Sequence, residues 1–84
     1  MRSISAAANT VVPAIRALED AGFTVSVRET SGAQVVEATR GEDVYAAEDP
    51  VAVLGLVKLV ELRGWKWQAS DLEIAESLRR HKLA

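Results

Sequence analysis

Residues 49–64 read DPVAVLGLVKLVELRG. Asp49 is a good helix N-cap, and Pro50 falls at the first helical position, where its missing N–H is no loss. Gly64 is the expected terminator. Between them, polar side chains occur only at Lys58, Glu61 and Arg63. The spacing predicts one helix buried on most of its circumference, around which a small domain must be arranged. At 100° per residue, Lys58 and Glu61 share a stripe with Val51, Leu54 and Gly55. The stripe that should meet water is therefore apolar over its first two turns.

Upstream of this helix the hydrophobic period changes twice. Val11, Ile15 and Leu18 make one face of a first helix over 10–21, with Pro13 in its first turn if the cap is Asn9 or Thr10. A start near Ser5 would instead make Pro13 a kink. Gly22 ends the helix. Phe23, Val25 and Val27 then alternate with Thr24, Ser26 and Arg28, as in a half-buried strand. Thr30-Ser31-Gly32-Ala33 is a turn. A second strand over 34–40 places Val36 and Ala38 on one face, with Val35 on the other. Arg40-Gly41-Glu42-Asp43 is a second turn, followed by a short third strand over 44–47. Short connections make neighbouring strands antiparallel.

Downstream, Trp65-Lys66-Trp67-Gln68 is a connector. Ser70 and Glu73 form a capping box for a last helix from Asp71 to about His81. Asp71, Glu73 and Glu76 come early in it, and Arg79, Arg80, His81 and Lys82 late, which suits the helix dipole. Its apolar face is thin: Leu72, Ile74, Ala75 and Leu78. It is expected to pack on the edge of the core, with Trp65 or Trp67 filling the gap. The fold class expected is α+β: a two-layer sandwich, a three-stranded antiparallel meander with helices on one face, in the order α-β-β-β-α-α. The whole of 1–84 reads as a single domain, with 1–8 a poorly ordered or extended lead-in.

Composition narrows the function classes. The 84 residues carry a net charge of −2, with 49% hydrophobic and 26% charged residues. That is ordinary globular composition, without the basic excess that draws a domain to nucleic acid or an anionic membrane. There is no cysteine, so disulfides, thiol catalysis and cysteine-ligated metals are excluded. The start lacks a proper signal-peptide core. The longest apolar run, 51–57, is far short of the ~20 residues of a membrane span. A cytoplasmic location is expected. Seven arginines against three lysines, with abundant alanine, suggest a GC-rich bacterial genome.

Chemistry is sparsely represented. His81 is the only histidine and sits at a basic helix end. Glu42, Asp43, Glu48 and Asp49 flank the third strand, but that strand separates the two pairs by roughly 15 Å, and turn and cap roles explain them. No glycine lies in a phosphate-binding pattern. No nucleophile–base pair or metal spacing can be assembled, so no enzyme, cofactor or metal is expected.

The order helix, three antiparallel strands, helix resembles that of double-stranded-RNA-binding domains, in order alone. Those domains grip phosphates with lysines at the start of their last helix. Here that position reads Glu48-Asp49-Pro50-Val51, which would repel phosphate, so no residue is carried over.

Two functional expectations follow. The first is a small non-enzymatic protein-interaction module, binding a protein partner or itself as a homodimer through the 50–63 helix. Its candidate contacts are Val51, Leu54, Gly55 and Lys58, with Trp65 and Trp67. Mid-helix Gly55 costs about 1 kcal/mol against alanine, which favours a close backbone approach there, most simply by the sheet or the first helix, otherwise by the same helix of a second subunit. The second expectation is a nucleic-acid-binding domain that uses Trp65-Lys66-Trp67 and the basic 79–82 run.

Overall fold

The computed structural model describes residues 1–5 and 9–82. The order is α1 (Val11–Asp20), β1 (Thr24–Thr30), β2 (Ala33–Arg40), β3 (Asp43–Ala47), α2 (Pro50–Arg63) and α3 (Asp71–His81). This is the α-β-β-β-α-α arrangement of an α+β domain. Of the lead-in, residues 1–5 carry neither helix nor strand and 6–8 lie outside the described residues.

α1 begins after Thr10, so Pro13 stands in its first turn and no kink arises. Its end is a Schellman motif. Phe23 N–H donates to Leu18 O at 3.0 Å and Gly22 N–H to Glu19 O at 2.9 Å, with Gly22 at φ 94°. Leu18 and Phe23, the hydrophobic pair that accompanies this motif, are both buried.

The strands form an open antiparallel sheet in the order β1-β2-β3. Ser31 (φ 52°) and Gly32 (φ 79°) make a two-residue turn with both φ angles positive, the type I′ geometry that matches strand twist. It sets Thr30 opposite Ala33, and hence Val25 opposite Ala38 and Val27 opposite Val36. On the other side, Ala38 pairs with Tyr45 and Val36 with Ala47. One face of the sheet therefore presents Phe23, Val25, Val36, Ala38, Tyr45 and Ala47. α1 and α2 lie side by side against that face and form the second layer.

The core is Leu18, Phe23, Val36, Ala38, Tyr45, Val53 and Val57, with Val25, Ala47, Leu54, Leu56 and Val60 packed around it. Phe23 and Tyr45 meet edge to face at 5.7 Å. Arg40 closes the open end by stacking 4.2 Å above the Phe23 ring and donating from Nη1 to Ala21 O at 2.9 Å, at the negative end of α1. Val27 shares the inward face but is 54% exposed, because β1 is an edge strand whose far half outruns the helices.

α3 departs from expectation. It does not pack on the edge of the core: none of its residues is buried, and every residue over 61–82 is exposed. The thin apolar face explains this. Leu72, Ile74, Ala75 and Leu78 offer little area, and the connector carries the helix away from the sheet instead of back across it. The Cα radius of gyration, 15.1 Å, exceeds the ~12 Å of a compact domain of this length.

Candidate functional site

The six candidate residues do not form one surface. Val51 and Leu54 face α1. With Ile4, Thr10, Pro13 and Ala14 they line a shallow apolar cleft of about 230 Å³. Leu54 is half-buried against the core, while Val51 remains exposed. Lys58 Nζ lies 3.5 Å from Glu61 Oε2, an exposed pair one turn apart on the same helix and worth a few tenths of a kcal/mol at most.

Gly55 lacks the intramolecular close approach expected of it. A Cβ built there meets nothing within 4 Å, and the residue is exposed. Neither the sheet nor α1 approaches it, because the α2 face that meets the domain is carried by Pro50, Val53 and Val57, on the opposite side of the helix. The solvent-facing ridge of α2 is Val51, Gly55, Lys58 and Leu62.

The tryptophans lie on another flank. Trp65 and Trp67 line a cleft of about 160 Å³ between the edge strand β3 and α2, with Tyr45, Leu56, Leu59 and Val60. Trp65 stacks on Tyr45, ring centroids 5.5 Å apart and planes inclined by 26°. One indole face thus caps a core ring, yet 57% of Trp65 and 39% of Trp67 remain exposed. They cap the sheet edge with no helix over them.

One residue organises the passage from α2 to α3. Arg63 Nε donates to Trp67 O at 2.8 Å, fixing the connector. Its Nη2 donates to Glu73 Oε1 at 3.2 Å, fixing the first turn of α3. Glu73 completes the capping box: Ser70 N–H donates to Glu73 Oε1 at 2.9 Å, and Glu73 N–H donates to Ser70 Oγ at 3.2 Å. The backbone hydrogen bond from Ser70, and then Arg63, hold the Glu73 carboxyl below its ordinary value of 4.5. Arg63 carried no sequence signal for this role beyond being a base in the last turn of α2. Its partner lies ten residues ahead, across a turn whose path no periodicity reveals.

α3 itself is exposed on every side. Leu72, Ile74 and Leu78 are 68%, 45% and 38% exposed. The basic 79–82 run sits at the far end of α3, about 15 Å from its N-cap at ~1.5 Å per residue, and is not brought together with the tryptophans. Among the described residues, no three His, Cys, Asp or Glu side chains converge on a point, and no helix is long and apolar enough to cross a membrane.

The chain matches no protein-family model, and neither a curated protein nor a solved structure is similar to it.

Proposed function

We propose that this protein is a small interaction module that docks a protein partner through α3 and the adjoining tryptophan cleft. One observation carries the reading: α3 is amphipathic and strongly capped, yet buries none of its residues. A helix with an apolar face and nothing against it is built for a partner outside the chain. The half-exposed Trp65 and Trp67, in the connector that leads into α3, add a residue type favoured at binding centres. The Val51, Gly55, Leu62 ridge of α2 is the secondary candidate. A cytoplasmic location is part of the proposal, on the cysteine-free composition.

Affinity capture from the native cell tests it, comparing the unaltered protein with a Leu72→Glu/Leu78→Glu variant. The expected result is a discrete partner, which includes further copies of the chain, lost in the variant. Identical recovery by both proteins would refute the use of α3, and recovery of nothing by either would refute the module.

The exposed indoles flanking Lys66 favour a second reading, single-stranded nucleic acid held by stacking. A titration with oligonucleotide at low salt should then quench tryptophan fluorescence and lose that quenching at high salt. An unchanged signal removes the reading.

A further inference from the structure

We infer that the partner of α3 is a second copy of this chain, its α3 laid antiparallel across a two-fold axis near Ala75. The inference rests on the interaction-module reading above and names the occupant of that surface.

Charge order is the first argument. The apolar face of α3 begins at Asp71, runs through Leu72, Ile74, Ala75 and Leu78, and ends at Arg79 and Lys82. A parallel pair would set Asp71 on Asp71 and Arg79 on Arg79. The antiparallel pair sets the acidic start of each helix against the basic end of the other. With Ala75 at the axis, Asp71 faces Arg79 of the second copy and Leu72 faces Leu78. Symmetry makes each contact twice. Ala75, the smallest residue of the face, falls where the two helices come closest. The face is self-complementary as it stands, and needs no partner of other composition.

Area is the second argument. The accessible surface totals 6817 Å², whereas a compact monomer of this mass exposes about 4,900 Å². Among the described residues, those without cover are chiefly 1–5 and the 61–82 segment. On the paired face, Leu72, Ile74 and Leu78 leave roughly 270 Å² of apolar side chain in water. A standard interface buries about 800 Å² per partner, a little over half of it apolar. Those three side chains therefore supply about half of the apolar area that a dimer of ordinary size buries per partner.

A charge-exchange experiment tests the axis directly. Sedimentation equilibrium at micromolar concentration should show the unaltered protein as a dimer. Asp71→Lys alone sets a lysine against Arg79 of the second copy, and Arg79→Glu alone sets a glutamate against Asp71. Each variant should therefore dissociate at least about tenfold more readily. Mixed together they should form a heterodimer about as tight as the original, because both inter-helix pairs are then of opposite sign. Circular dichroism confirms that each variant is folded. A monomeric unaltered protein overturns the inference. So do two variants that dimerise unchanged, or a mixture that stays monomeric. If the unaltered protein is monomeric but Leu72→Glu/Leu78→Glu abolishes capture of another protein, the module stands and its self-pairing falls.

Discussion

Gly55→Ala should stabilise the protein. Glycine in a helix interior costs about 0.8–1.0 kcal/mol relative to alanine, because its backbone loses more freedom on folding. Nature tolerates that where a side chain would clash, but here the added methyl meets nothing within 4 Å. Nor is Gly55 among the residues of positive φ, so alanine adopts its conformation without strain. The whole propensity difference should appear as stability, about 0.8–1 kcal/mol. For a domain of this size that raises the melting temperature by roughly 3–8 °C, and at ~1 kcal/mol per molar urea it moves the denaturation midpoint up by somewhat under about 1 M. Thermal melts followed by far-ultraviolet circular dichroism at two protein concentrations measure it. Gly64→Ala is the control of opposite sign. Its surroundings are equally open, but φ 77° and ψ −176° lie in a region essentially reserved to glycine, at a cost of about 1–3 kcal/mol. A lowered or unchanged melting temperature for Gly55→Ala at both concentrations would refute the reasoning. A gain at low concentration that vanishes at high concentration would show another copy's backbone pressed against the α2 ridge.

Three further outcomes follow from single contacts. Asp49 Oδ1 accepts from Ala52 N–H at 2.8 Å, so Asp49→Ala should destabilise α2 by about 1 kcal/mol in urea titration, while Asp49→Ser should recover most of the loss. Arg40→Ala removes both the stacking on Phe23 and the bond to Ala21 O, and should cost about 1–2 kcal/mol by the same assay; lysine in its place should restore less than half, since it lacks the planar group. Glu73 is the pH-sensitive element. Its folded pKa lies below the ordinary 4.5, so its contribution to the start of α3 is present above pH 4.5 and lost as pH falls through the depressed folded value. A carboxyl-detected NMR titration should show the lowered midpoint, and Arg63→Ala should move it upward.

How much was legible follows from how local each signal is. The Asp49 cap, the two hairpin turns and the Ser70–Glu73 box depend on neighbours within four residues, and all were readable from residue type and spacing. The inward face of the sheet followed from alternation at Phe23, Val25, Val36 and Ala38. The path of the chain after Gly64 did not. It depends on the conformation at Gly64 and on Arg63 reaching Trp67 O and Glu73, contacts that no period or composition encodes. The expected docking of α3 failed for that reason. No element of the chain lies against Gly55, because α2 turns that side away from the sheet and α1, a direction that glycine as a residue type does not encode. The candidate residues divided likewise. Trp65 and Trp67 were marked by their type, whereas Leu72 and Leu78 looked like ordinary core.

The stability of α3 as a helix tightens the case for a partner. Isolated helices shorter than about 12–15 residues are marginal in water, and most helices in proteins are held by packing of an apolar face. α3 has 11 residues and, among the described residues, no such packing. What supports it is polar and exposed: the capping box, the favourable order of charges along its dipole, and the Arg63–Glu73 pair. Such exposed supports are individually weak, enough to bias the segment toward helix but little beyond that. Its helicity and its docking are therefore linked. A partner that covers Leu72 and Leu78 binds the helical form and, by mass action, raises its population. Dilution should accordingly lower the far-ultraviolet helical signal in a step that leaves the sheet and core intact, and Leu72→Glu/Leu78→Glu should abolish that concentration dependence. A helical signal constant across the dilution series would mean that polar capping alone sustains α3, and the physical need for a partner would fall with it.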